Sequence, residues 1–464
     1  MYYSMKYLRL LSATMMIASG LWAAELAAQD IVTPEQLYPQ LKDILQQAVV
    51  QSPRMINRAL DLEMAENDRI TARANLLPSV SASGSYYRSK DRQQLLNPNV
   101  VSASAPDFYV TKTPYSAAIS QPLYSWGERR NLARMGEIRQ SIAQGQYRDG
   151  YRLLAQTLRG DYLRLIVLKL SAKRAHFSQE MASSLLQQDE ERLLKKVVSE
   201  AQLFGTLIYA ERAQIALEQA DSSLENGVHS FGRLSGLGKA FTEKDIPDSV
   251  PVVAPAAAGL DQLMAGFLAQ KELPSLEAAT LRQQLKLEDL TYKNSRTRLW
   301  PKLNASAGLS QDEQLNYFGS GAKYRSSSLY AGISVSWTVF DGFAAGAAER
   351  SSLARRRQLE NDYQQLTERL AEDAQSQVKQ IGYNARSMSI TDRLLNSAEG
   401  NQLDKMKENA RGVASETQVN QAKLELFDAL ISAYSARRDY LINVGDFLGL
   451  VVQDPVVANV ANKK

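Results

Sequence analysis

Two histidines, His176 and His229, and no cysteine are all that this chain offers to metal or nucleophile chemistry. Metal sites draw their ligands from Cys, His and carboxylates at short fixed spacings, and a thiol nucleophile requires a cysteine. Each histidine stands alone inside a helical pattern, so neither a ligand set nor an acid–base pair assembles around it. Asp189, Glu190 and Glu191 form a run on a helical stretch, which reads as a charged, solvated face rather than a general acid and base facing each other across a pocket. Arg355, Arg356 and Arg357 read the same way, since no aromatic residues are interleaved with them as stacking on nucleic acid would need. The expectation is a protein with no catalytic residue, no metal and no cofactor.

Composition narrows the class further. In 464 residues, 22% are charged and the net charge is only +4, while the mean hydropathy is slightly negative. That balance fits neither a disordered chain nor a helical membrane bundle, and it gives no electrostatic case for nucleic acid. At the N-terminus Lys6 and Arg9 precede an apolar stretch that gives way to Ala23, Ala24, Ala27 and Ala28. This layout predicts a signal peptide over residues 1–28 and an exported product. Without cysteine there is neither a disulfide framework nor a thiol to carry a lipid. No later stretch approaches the ~18 consecutive apolar residues of a membrane helix, which leaves a closed β-barrel as the way to cross a bilayer.

The elements that remain come in duplicate. Leu77-Pro78 and Trp300-Pro301 each open an alternating run, and each run is followed by a polar loop, a second alternating run and a very long helical pattern. The reading is a first repeat over 29–239 with strands at about 78–90 and 112–124, and a second over 259–450 with strands at about 301–311 and 327–340. Between them, 240–258 contains Pro247, Pro251 and Pro255 and reads as a linker, and 451–464 is a tail. The loops, about Arg88 to Thr113 and Ser310 to Ser327, read as long and polar.

A period of two sorts the strand residues. Val80, Ala82, Tyr86, Tyr115, Ala117, Ile119, Leu303, Ala305, Ala307, Leu329, Ala331, Ile333, Val335 and Trp337 fall on apolar faces suited to lipid, opposite faces rich in serine. A soluble sandwich would alternate in the same way. Strand number separates the two, because about eight strands are the lower limit for a membrane barrel and several copies of a four-stranded chain must then share one.

The helical patterns run from about Gly127 to Lys196 and from about Ala344 to Ala410 without a breaker. A helix of ~65 residues is ~100 Å long, several times the width of an ordinary domain. Each returns through a second helix, with Ser199 and Ser415 placed as N-caps. A periplasmic coiled-coil scaffold without a pore is the alternative reading, and it leaves the strand pairs unexplained.

Gln121-Pro122-Leu123-Tyr124-Ser125-Trp126-Gly127, Trp337-Thr338-Val339-Phe340-Asp341-Gly342, and the repeat endings Leu234-Ser235-Gly236-Leu237 and Phe447-Leu448-Gly449-Leu450 recur in corresponding order. In this the chain resembles the TolC-type outer-membrane efflux and secretion channels of Gram-negative bacteria. The resemblance implies a mainly α fold with membrane β: a homotrimer whose chains give four strands each to a twelve-stranded barrel, continued by a periplasmic α-helical barrel. It implies a passive duct in the outer membrane that meets outer-membrane lipid and docks on a periplasmic adaptor (a membrane fusion protein). Through that adaptor it reaches an inner-membrane ABC or RND-type pump.

The resemblance also implies adaptor-docking tips at Val197, Val198, Ser199 and Glu200 and at Gly412, Val413, Ala414 and Ser415, which depart from the family's Val-Gly-Leu or Val-Gly-Thr. It places a periplasmic aperture near Asn420 and Lys423, neutral or basic where the family carries aspartates. The missing lipid-attachment cysteine leans toward the type I protein secretion branch over small-molecule efflux.

Overall fold

The computed structural model describes residues 31–91, 107–317 and 321–457. The signal peptide expected over 1–28, the middle of the first strand loop and the end of the tail lie outside the described residues. The elements follow in the order α1 (Pro34–Leu37), α2 (Pro39–Gln51), α3 (Pro53–Ala74), β1 (Ser79–Gly84), β2 (Tyr87–Asp91), β3 (Phe108–Lys112), β4 (Tyr115–Tyr124), α4 (Glu128–Leu194) and α5 (Glu200–Ser235). Then come α6 (Ala257–Leu268), α7 (Leu276–Arg296), β5 (Lys302–Tyr317), β6 (Ala322–Ser336), α8 (Ala344–Ala410) and α9 (Glu416–Leu450). The chain divides into two compact units.

One unit, Glu63–Ala143 with Leu281–Asn361, holds the sheet. Helices α3 and α7 each end in a tight turn, closed by Leu77 N–H donating to the Ala74 carbonyl and Trp300 N–H donating to the Thr297 carbonyl. Pro78 and Pro301 follow; neither can donate a helical hydrogen bond, and each forces its predecessor into extended backbone, so the helices stop and strands begin. All strand pairs are antiparallel. β1 pairs β4, β4 pairs β5 and β5 pairs β6, with β2 and β3 continuing the first two strands past a short break.

Here the structure departs from the expected loop between the second pair of strands. β5 runs on to Tyr317 and β6 starts at Ala322, so most of Ser310–Ser327 is paired strand. Apart from Leu315 and Tyr324 the upper part is polar on both faces, but Glu313 faces Arg325 across the ladder and lies beside Lys323, and opposite charges across a strand pair stabilise it. At the other end β6 stops at Ser336, and Trp337 to Phe340, expected as strand, lie past it.

The long helices are entered through left-handed backbone. Trp126 and Gly127 have φ 55° and 84°, and Gly342 and Phe343 have φ 68° and 69°. α4 and α8 then run for 67 residues each, about 100 Å of continuous helix.

The other unit, residues 31–62, 144–280 and 362–457 of the described chain, is helical. Leu41, Leu45, Leu154, Leu158, Tyr162, Phe231, Leu441 and Phe447 are buried in it. At the end of α5, Gly236 takes φ 86°, and a Cβ there would lie 2.3 Å from the Gln51 carbonyl oxygen, so only glycine fits. The inter-repeat segment is packed rather than loose. Phe241, Ile246, Val250 and Val253 are buried, Lys169 and Tyr38 donate to the Ile246 and Ser249 carbonyls at 2.8 Å each, and Arg437 donates to the Val250 carbonyl at 2.6 Å.

Candidate functional site

With no group of His, Cys, Asp and Glu among the described residues placed to hold a metal ion, the candidate site is made of surfaces. The first is the sheet. Residues opposite each other across a ladder share a face, so the register sorts side chains directly. Val80, Ile119, Ala307 and Ala331 form one row, and Ala82, Ala117, Leu309 and Leu329 the next. Ala305 opposite Ile333 and Leu303 opposite Val335 extend the apolar face downward, and Tyr115 lies at its upper edge. The other face carries Ser79, Ser120 and Ser306 in one row and Ser83, Ser116, Ser310 and Ser328 in another. Its hydroxyls bond across the strands, Ser83 to Ser116 at 2.9 Å and Ser310 to Ser328 at 3.1 Å.

The alternation is not perfect. A bulge between Pro122 and Tyr124 leaves Leu123 as an extra residue and puts Tyr124 opposite Leu303. β1 and β6 each pair on one side only among the described residues, so both outer edges of the sheet are open. No helix in the described residues is long and apolar enough to cross a membrane.

An aromatic cluster lies at the lower end of the sheet. Trp126 stacks edge-on with Trp300 at 4.7 Å and with Tyr124 at 4.9 Å. Its indole N–H donates to the Pro301 carbonyl at 2.7 Å, and the Trp337 indole donates to the Leu299 carbonyl at 3.0 Å. The rings of Trp300, Trp337, Phe340 and Phe343 remain exposed. Trp337 thus has its polar atom satisfied and its ring exposed, the arrangement found where a chain crosses from lipid to water.

The two hairpin turns form the second surface. α4 ends with Lys196 left-handed at φ 56°, and α8 with Gly412 at φ 76°. In both turns the following valine closes the helix end, Val197 N–H donating to the Arg192 carbonyl at 2.8 Å and Val413 N–H to the Glu408 carbonyl at 2.9 Å. Ser199 and Ser415 then cap the returning helices, accepting from the Gln202 and Gln418 amides. The geometry therefore equates Lys196 with Gly412, Val197 with Val413, Val198 with Ala414, Ser199 with Ser415 and Glu200 with Glu416. Val197 and Val413 are 70% and 76% exposed at equivalent positions.

Asn420 and Lys423 lie on α9 and are half-buried. The Lys423 ammonium sits 4.0 Å from the centre of the Phe177 ring on α4, and Phe177 packs on Phe427 at 5.9 Å. Beside them Arg174 binds Asp428 through two hydrogen bonds, 2.6 and 3.1 Å. One carboxylate of the run Asp189 to Glu191 departs from the solvated face expected of it. Asp189 is buried and accepts a 2.7 Å hydrogen bond from Thr206 on α5, because the hairpin brings Thr206 against it. Sequence reasoning also missed Arg159, 2% exposed, whose guanidinium is held by Glu35 and, through bonds of 2.6 and 2.9 Å, by Asp454.

The family profile described as outer membrane efflux protein matches residues 44–234 and 268–446. No curated protein matches the chain in sequence. Among solved structures, the outer membrane protein VceC from Vibrio cholerae is similar at 14% identity and a TM-score of 0.62, over 89% of this chain and 96% of VceC. The CmeC outer membrane channel of Campylobacter jejuni is similar at 13% identity and 0.65, over 91% of this chain and 88% of CmeC. The open state of the MtrE outer membrane channel from Neisseria gonorrhoeae gives 13% and 0.59, over 89% of each chain.

Proposed function

Because the chain belongs to the outer membrane efflux protein family, an outer-membrane family of passive channels rather than enzymes, we propose that it is the exit duct of a tripartite export system. Three copies each contribute four strands to one barrel, and the long helices line a periplasmic passage. The observation that carries this reading is the sheet with one apolar face, one serine-rich face and two open edges. Unpaired backbone edges are not tolerated in lipid, so neighbouring copies must complete the ladder.

In this reading the apolar face from Val80 to Val335 meets lipid, and the hairpin turns at Val197 and Val413 dock on a periplasmic adaptor that links to an inner-membrane pump. In each turn an exposed valine between capped helix ends offers a small apolar surface suited to such a contact. The aperture falls near Asn420 and Lys423, with Lys423 held back against Phe177. Pump and adaptor select the cargo, either a polypeptide of type I secretion or a small molecule. The periplasmic scaffold is set aside, since the family is one of outer-membrane channels.

The test is outer-membrane fractionation followed by mass determination of the detergent-solubilised complex. A trimer in the outer-membrane fraction is expected. A soluble monomer or dimer would overturn the barrel. Cargo class is then read from which export, of a polypeptide or of a small toxic compound, is lost on deletion.

A further inference from the structure

The apolar face of the sheet ends in a belt of cations. The register holds across the breaks within the first two strands: Gly84 stands opposite Tyr115 and Tyr87 opposite Lys112, while Thr111 meets Leu315 just as Tyr115 meets Gln311. Faces are therefore preserved above Leu309 and Leu329. Continuing upward, the apolar face carries Tyr86 with Glu313 and Arg325, then Arg88 with Lys323, then Lys90 with Tyr109.

Among the described residues of this belt four cations meet two carboxylates. Glu313 serves both Lys323 and Arg325, and Asp107 pairs with Lys90 at 2.7 Å. The Arg88 guanidinium lies 4.6 Å from the centre of the Tyr109 ring. The side chains of Lys90, Lys323 and Arg325 are 54%, 56% and 59% exposed.

Height places the belt. Leu303, beside the lower aromatic cluster, and Glu313 are ten residues apart on β5, about 33 Å along the strand at its usual rise. At the ~40° tilt of a membrane strand this is about 25 Å along the membrane normal, the height of the apolar band of an outer-membrane barrel. With the tryptophans at the lower interface, Tyr86, Arg88, Lys323 and Arg325 reach the upper one.

We propose that this belt binds the phosphate groups of the glycolipid in the outer leaflet of the Gram-negative outer membrane. The inference rests on the barrel reading above. A lipid fits better than a dissolved polyanion because the cations continue directly from a face suited to acyl chains, with tyrosines at the boundary. Arg88 and Arg325 offer planar paired donors that match phosphate oxygens, and the two lysines add point charges.

The experiment measures binding of diphosphoryl lipid A and of its dephosphorylated form to the detergent-solubilised, full-length protein, first scored for entry into the outer-membrane fraction. The wild type is expected to prefer the diphosphoryl form. Combined Arg88→Gln, Lys90→Gln, Lys323→Gln and Arg325→Gln should weaken that binding roughly ten-fold or more, while Lys112→Gln, on the serine-rich face, leaves it unchanged.

Equal binding of the two lipids by the wild type overturns the proposal and leaves the barrel intact, and so does full binding by the combined variant. A wild type absent from the outer-membrane fraction overturns both. Should the combined variant fail to assemble, the wild-type comparison and Arg88→Gln alone, expected to lose several-fold, decide the matter.

Discussion

Arg159 shows what a single residue holds together in the helical unit. Its partners Glu35 and Asp454 stand 124 and 295 residues away along the chain, so one guanidinium ties α1 and the segment after α9 to α4. Removing a buried cation leaves two carboxylates without their counter-charge. Arg159→Ala is therefore expected to cost about 3–5 kcal/mol, read as a lowered midpoint of thermal unfolding; a midpoint equal to wild type would sink this account.

Asp446, nearby on α9, has its pKa raised mainly by burial, with Arg159 and Arg152 opposing. The folded state thus holds this proton more tightly than the unfolded chain. Its contribution to stability is fully present below the ordinary aspartate range and is lost as pH rises through the raised value. Asp446→Asn, which mimics the protonated acid, should raise the melting temperature at neutral pH, with the gain vanishing in acid; an unchanged difference across pH would refute it. None of these roles was legible in the sequence, because spacing cannot reveal partners so far apart. Asp189 is closer to its partner, but Thr206 reaches it only when the hairpin closes, so the run of carboxylates alone suggests a solvated face.

At the scale of elements, much of the architecture was written locally. The Leu-Pro and Trp-Pro stops, the serine caps and the breaker-free helical runs act through neighbours a few residues away. The strand extension past Ser310 was not legible, since its polar residues do not alternate and only the facing charges of β6 explain it. The hairpin turns fall between these cases. Both serine caps could be read, but Lys196 hides the equivalence with Gly412, because a lysine in left-handed backbone leaves no mark on sequence.

That backbone costs an L-residue roughly 1–2 kcal/mol, part of which glycine returns as extra freedom when unfolded. Lys196→Gly is then expected to stabilise the first turn by about 0.5–1 kcal/mol. Ser415→Ala should destabilise the second by about 1 kcal/mol. Amide hydrogen exchange at the two turns checks both, with slower exchange at the first and faster at the second; the opposite directions would mean that the turns are not built alike.

For the whole molecule, the decisive property is that adjacent residues of one strand lie on opposite faces, which in the proposed barrel meet different media. Ser306 and Ala307 are neighbours on β5, yet Ser306 shares its row with Ser79 and Ser120 while Ala307 shares its row with Val80, Ile119 and Ala331. An arginine on the lipid face near the middle of the band costs about 2–4 kcal/mol, and one on the lumen side is solvated. Ala307→Arg should therefore reduce the assembled protein recovered from the outer membrane, whereas Ser306→Arg should assemble normally and shift the ion selectivity of the reconstituted pore toward anions. In the proposed trimer the contrast is multiplied, since each copy would place its arginine at the same height in the shared barrel. Equal yields would mean that the two faces do not meet different media, and loss with Ser306→Arg alone would invert them, placing the serine rows against lipid and removing the basis for a water-filled duct.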